Sequence, residues 1–161
     1  MKRLKSIVTA MAICLGLAVM LTSCNGNEDE PVLPGAEIIE GSYFGDLSCK
    51  VLDTTLEYEN LTVAVTANDD ATVTIHIPQF GGNGHNTLPA FDIPGAEVSE
   101  QNGTYLIAAT DFSGTNDKGQ AYSGTLQGEI SQGKLTLEFV LRIGAMPMPM
   151  TCTFEGLERD L

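Results

Sequence analysis

"SGTLQGEISQGKLTLEFVLRI", residues 123–143, decides how this chain folds. Leu126 and Ile130 alternate with Gln127 and Glu129. After Ser131-Gln132-Gly133, the series Leu135, Leu137, Phe139, Leu141 and Ile143 alternates with Thr136, Glu138 and Arg142. Period two puts the apolar residues on one face of an extended segment and the polar ones on the other. A short glycine-containing break between two such runs is hairpin chemistry.

The same grammar extends in both directions. Tyr43, Gly45, Leu47, Cys49 and Val51 share a face opposite Asp46, Ser48 and Lys50. Leu61, Val63 and Val65, then Val73, Ile75 and Ile77, alternate with threonines and His76. Tyr105, Ile107 and Ala109 follow a Gln101-Asn102-Gly103 turn, and Met148, Met150, Cys152 and Phe154 close the series. Further turns are expected at Asn68-Asp69-Asp70 and Asn116 to Gly119. With a short strand over Ala96 to Ser99, about eight strands follow one another at short spacing, and no window holds a helical period. The expectation is an all-β, antiparallel up-and-down barrel of eight strands. Pro78 to Pro94, rich in Gly, Pro and Asn, is expected to be a long loop that lids one mouth with Phe80 and Phe91.

The amino end has different physics. Lys2, Arg3 and Lys5 precede an apolar run, Ile7 to Leu21, and then Thr22-Ser23-Cys24. This is a secretion-signal pattern, and the run is short of the roughly 20 residues a spanning helix needs. The end of the segment resembles a bacterial lipobox. That resemblance implies cleavage before Cys24 and acylation of its sulfur, with an anchor through buried acyl chains. Asn25 to Glu30 is polar and acidic, an expected solvated tether. The acids just after the cysteine also resemble a surface-export signal of Bacteroidota lipoproteins. The expected organisation is a signal peptide over 1–23, a flexible acidic tether over 24–38 and a barrel domain over 39–158.

The chain carries 8 Lys+Arg against 21 Asp+Glu. Lys2, Arg3 and Lys5 leave with the signal, so the remainder holds 5 against 21, a net of −16. Such a surface repels nucleic acid. Loss of 23 residues from 161 leaves 138, enough for one domain with a real core.

At the level of strand and turn motifs the sequence resembles the calycin-like β-barrel lipoproteins of Bacteroidota. The residues that carry this are Glu40 to Leu47, Ser123 to Ile130 with Gly133 to Leu137, and Thr153 to Gly156. The resemblance covers residues 39–157 and implies fold rather than chemistry. The wider calycins hold small apolar molecules inside the barrel. The Gly-x-Trp signature of lipocalins is missing, since the chain has no Trp.

An outer-membrane barrel would turn its apolar face outward. Ten aromatics without paired girdles, and a lipid on Cys24, favour a soluble barrel with the apolar side inward. Cys49 and Cys152 then fall on the inner faces of the first and last strands, which are neighbours in a closed barrel. They are candidates for a disulfide, or else two buried thiols. Tyr43, Leu47, Val63, Ile75, Ile107, Leu137, Phe139, Met148 and Met150 are the candidate pocket lining. The alternative is that the same residues simply fill the core.

His76 and His85 have no ligand partners at useful spacing, and no catalytic set, metal site or cofactor motif is expected. The leading expectation is therefore a monomeric, non-enzymatic lipoprotein of the outer membrane, facing the periplasm or the cell surface, that binds a small apolar or amphipathic ligand. Its rival is a filled barrel serving as a structural module or meeting a protein or glycan at the surface.

Overall fold

The computed structural model describes residues 35–68, 71–82, 87–144 and 148–159. One helical turn, α1 (Gly35–Ile38), precedes ten strands: β1 (Gly41–Val51), β2 (Thr54–Ala67), β3 (Thr72–Ile77), β4 (Phe80–Gly81), β5 (Thr87–Leu88), β6 (Phe91–Gln101), β7 (Thr104–Thr115), β8 (Ala121–Ser131), β9 (Lys134–Ile143) and β10 (Met150–Glu158). Eight of them close a barrel in the order β1-β10-β9-β8-β7-β6-β3-β2, while β4 and β5 form a separate two-stranded hairpin between β3 and β6. Every pairing is antiparallel, including the seam between the first and last strands, where Leu47 faces Phe154.

The stretch over 123–143 behaves as its alternation demands. Leu126, Ile130, Leu135, Leu137, Phe139, Leu141 and Ile143 are all buried, and Gln127, Glu129, Glu138 and Arg142 face outward. Apolar in and polar out is the inverse of a membrane barrel wall. None of the described helices is long and apolar enough to cross a membrane. The β6–β7 and β8–β9 connections are two-residue turns in which both central residues have positive φ: Asn102 (54°) with Gly103 (80°), and Gln132 (53°) with Gly133 (72°). That is the turn whose twist suits a right-handed hairpin.

Three irregularities, invisible to strict alternation, shift which residues point inward. β1 slips against β2 between Gly45 and Leu47. There Asn60 takes φ 62° and its amide N–H donates to the Asp46 Oδ1 at 3.1 Å. β6 slips against β3 between Val73 and Ile75, opposite Pro94 and Gly95. Gly95 has φ 74° there, and Pro94 sits where the ladder needs no donor. β7 slips against β8 between Ile107 and Thr110. Each bulge adds one residue to one strand and flips the phase that follows. Ala109, expected inward, is therefore exposed, and Phe112 takes the inner position. The bulge at Pro94 also lets β6 begin at Phe91, inside the segment expected to be loop.

The two ends of the barrel are sealed differently. At the end where β1 begins, α1 lies inside what the sequence suggested was tether. Ala36 and Ile39 are buried at 0% and 1% exposure. The Tyr43 hydroxyl donates to the Ile39 carbonyl at 2.8 Å, and the Glu40 carboxylate accepts from the Ala67 amide at 2.9 Å. At the other end, β6 and β7 pair only from Val98↔Ile107 to Gln101↔Thr104 and then diverge. Aromatic rings fill the divergence. Phe91 stacks on Phe112 with centroids 6.1 Å apart and lies 5.2 Å from Tyr122. The Tyr122 hydroxyl crosses the gap to the Asp92 carbonyl at 3.0 Å.

Candidate functional site

The interior is where the sequence placed a binding pocket. A void large enough for a ligand leaves accessible surface on the side chains that line it. Tyr43, Leu47 and Val63 keep 1% of theirs, Ile75 and Leu137 none, and Ile107 and Phe139 2%. These residues meet in one cluster with Ile93, Leu141 and Phe154. The structure thus brings eight of the nine candidates together, Met150 (4%) included, but as packed core. Met148 is the exception. It is 39% exposed, because β10 begins only at Met150, after Pro149. The proline-rich approach cannot join the ladder.

Glycines explain how the barrel fills itself. Gly45, Gly124, Gly128 and Gly156 occupy inward positions of bent strands. A Cβ on Gly45 would stand 1.9 Å from the Glu155 carbonyl oxygen, and one on Gly124 1.8 Å from the Val140 carbonyl oxygen. On Gly156 it would meet the Phe154 ring at 2.6 Å, and on Gly128 the Leu137 side chain at 2.7 Å. The backbone closes in where no side chain stands, and the neighbouring large side chains take the space.

The lid expectation concerns β4 and β5. Phe80 is buried, and its ring lies 5.3 Å from that of Tyr58. Burial, then the nearby Cys49 and Cys152, push the Tyr58 hydroxyl pKa up. His85 and the tip of this hairpin lie outside the described residues, as does Cys24. His76 is half exposed and pairs with Asp92 at 2.6 Å, a surface contact on β3 and β6. Among the described residues no group of three His, Cys, Asp or Glu side chains could hold a metal ion.

Cys49 and Cys152 are direct register partners across the β1–β10 seam. Both are buried, at 1% and 0% exposure, and both are free thiols here. A thiol–thiol hydrogen bond with Cys49, then burial, push the Cys152 pKa strongly upward.

Outward concavities were not foreseen. One lies on the outside of the same seam, about 550 Å³ in volume, with Gly45 and Gly156 on its floor. Its rim offers donors and acceptors held in pairs. The Ser48 hydroxyl donates to Glu57 at 2.9 Å, and the Lys134 ammonium to Glu155 at 2.6 Å. The Arg159 guanidinium caps the Phe44 ring at 4.3 Å. A second dent, about 410 Å³, sits over Gly128 beside the β7 bulge. Such grooves can present hydrogen bonds and charge to a partner. The signal in the sequence was glycine at inward strand positions, which marks where the wall bends.

The chain forms a closed, eight-stranded, up-and-down antiparallel wall around an apolar interior. The calycin-like β-barrel domain family matches it over residues 39–157. This chain belongs to that family. The calycin-like barrel is also similar to a solved structure from Bacteroides fragilis, a protein provisionally named as an outer membrane protein. The two share 23% identity at a TM-score of 0.70, over 78% of this chain and 53% of that one, so this chain spans about half the length of its neighbour. That likeness is one of fold. Among curated proteins, nothing matches the calycin-like chain.

Proposed function

We propose that this calycin-like protein is a lipid-anchored envelope lipoprotein, carried on the outer membrane through Cys24, whose barrel is a non-catalytic, monomeric module acting through its outer wall on a protein or glycan partner. The observation that carries this reading is the closed interior: residues that a ligand would have to touch touch one another instead. The anchor rests on the charged start, the apolar run and the small residues before Cys24. An envelope location draws support from the outer-membrane name of the Bacteroides fragilis neighbour. The polar seam groove, in a chain with a large excess of acids, is the surface best equipped for hydrogen-bonded contact.

A guest inside the barrel is the second reading. It would have to enter at the end where Phe91, Phe112 and Tyr122 meet and displace those rings. Native mass spectrometry of the protein purified from its own envelope separates the two. The expected result is the acylated chain alone, with Cys24→Ala moving it out of the membrane fraction. A bound small molecule of defined mass that survives purification overturns the filled-barrel reading. An unchanged membrane fraction for Cys24→Ala overturns the anchor.

A further inference from the structure

We infer that Cys49 and Cys152 are the two halves of a disulfide that staples the closing seam of the barrel, and that the bond forms before that seam closes. The pair is placed by the ladder. Cys49 faces Cys152, with Ser48↔Thr153 and Lys50↔Thr151 on either side, so the register is held independently of the thiols. Directly opposed residues of antiparallel strands have Cα atoms about 4.5–5.5 Å apart, inside the range of about 4.4–6.8 Å that disulfides span. Both side chains are buried on the inner face, and Cys49 stands near enough to raise the Cys152 pKa. Only the side chains must turn.

Chemistry sets the order of events. Two S–H bonds break and one S–S bond forms, so two electrons and two protons must leave. A small or protein-borne disulfide, R–S–S–R, takes both and departs as two R–SH. One cysteine thiolate attacks that disulfide and releases the first R–S⁻. The second attacks the mixed disulfide and releases the other. Each attack needs a thiolate with access to the oxidant. Once β1 and β10 are zipped, the chain leaves both sulfurs 0–1% exposed, out of an oxidant's reach, and Cys49 beside Cys152 favours the protonated form of Cys152. Exchange therefore runs while β10, the last strand made, is still undocked, and closure afterwards shields the bond from reductants.

The inference borrows from the envelope reading only the oxidising compartment, and the experiment keeps the two apart. The full chain is refolded from denaturant with oxidised glutathione, and a second sample is isolated from the cell envelope without reductant. Both are digested with trypsin, which cuts after Lys50, Arg142 and Arg159. The expected product is a linked pair of peptides, one ending at Lys50 and one covering residues 143–159, that separates on reduction. Folded, reduced protein should bridge at least tenfold more slowly than refolding protein under the same glutathione. Reduction should lower the melting temperature by on the order of 10 °C, and a Cys49→Ala/Cys152→Ala variant should show no such dependence. Alkylation of Cys49 and Cys152 themselves in the refolded sample, or a melting temperature indifferent to reductant, overturns the bridge. Equal rates for folded and refolding protein overturn the order of events. A bridged refolded sample beside an unbridged envelope sample counts against export and leaves the bridge standing.

Discussion

The Tyr43 hydroxyl donates to the carbonyl of Ile39, four residues earlier, at 2.8 Å, and so ties α1 to the first strand it precedes. Ile39 and Ala36 seal the barrel end beside it. A one-turn helix cannot hold itself in water, so this bond and the apolar contacts hold it in place.

Tyr43→Phe should detach the plug at a cost of about 1 kcal/mol, the worth of one buried hydrogen bond. Faster amide exchange in residues 36–40, with the barrel strands unchanged, is the expected signature.

The same phenol gives the barrel an alkaline limit. Burial, then the negative charge of Glu158, push its pKa from 10.0 to about 12. Below the unfolded value both states carry the proton and the stabilisation is complete. Between pH 10 and about 12 the unfolded chain loses its proton first, so stability falls by about 1.4 kcal/mol per pH unit. Denaturant titrations across that window should show the slope in the native chain and lose it in Tyr43→Phe.

Gly45→Ala tests the inward glycines. The new methyl has only backbone to meet, at 1.9 Å from the Glu155 carbonyl oxygen, and backbone cannot rotate away. A loss of about 3 kcal/mol or more is expected, at the upper end of overpacking costs. A melting temperature within a degree or two of the parent's would show that the seam can spread.

Gln132→Asn should stabilise. Gln132 sits at φ 53° in the β8–β9 turn, next to Gly133, where Asn is better suited. About 0.5–1 kcal/mol is expected in chemical unfolding, with no change in the m-value.

Phe139→Ala should cost about 3–5 kcal/mol and leave a dry cavity. The ring is 2% exposed and meets Phe91 edge-on at 6.3 Å. Binding of benzene or xenon by the variant, and its absence in the parent, would confirm that the native barrel is filled by its own side chains.

Fold class was legible in Leu135, Leu137, Phe139, Leu141 and Ile143, because a strand buried on one face must alternate and nothing else in a sequence does so with period two. The turns at Asn102-Gly103 and Gln132-Gly133 were legible too, since few residues accept positive φ. Inward orientation of Tyr43, Leu47 and Val63 followed from the same rule. What alternation could not show was the state of the space they enclose. Whether eight inward faces leave a hollow depends on how sharply the wall bends, and that is set by close approaches between strands far apart in the chain, such as Gly45 to Glu155 and Gly124 to Val140. The bulges at Pro94–Gly95 and in β7 are likewise agreements between two strands, so Ala109 and Phe112 could be assigned a side only once β7 and β8 were paired. The sequence by itself determined a chain of amphipathic strands long enough to close on itself. Tertiary structure alone decided that the inward side chains bury one another, because packing is a property of meeting surfaces and no single strand contains both.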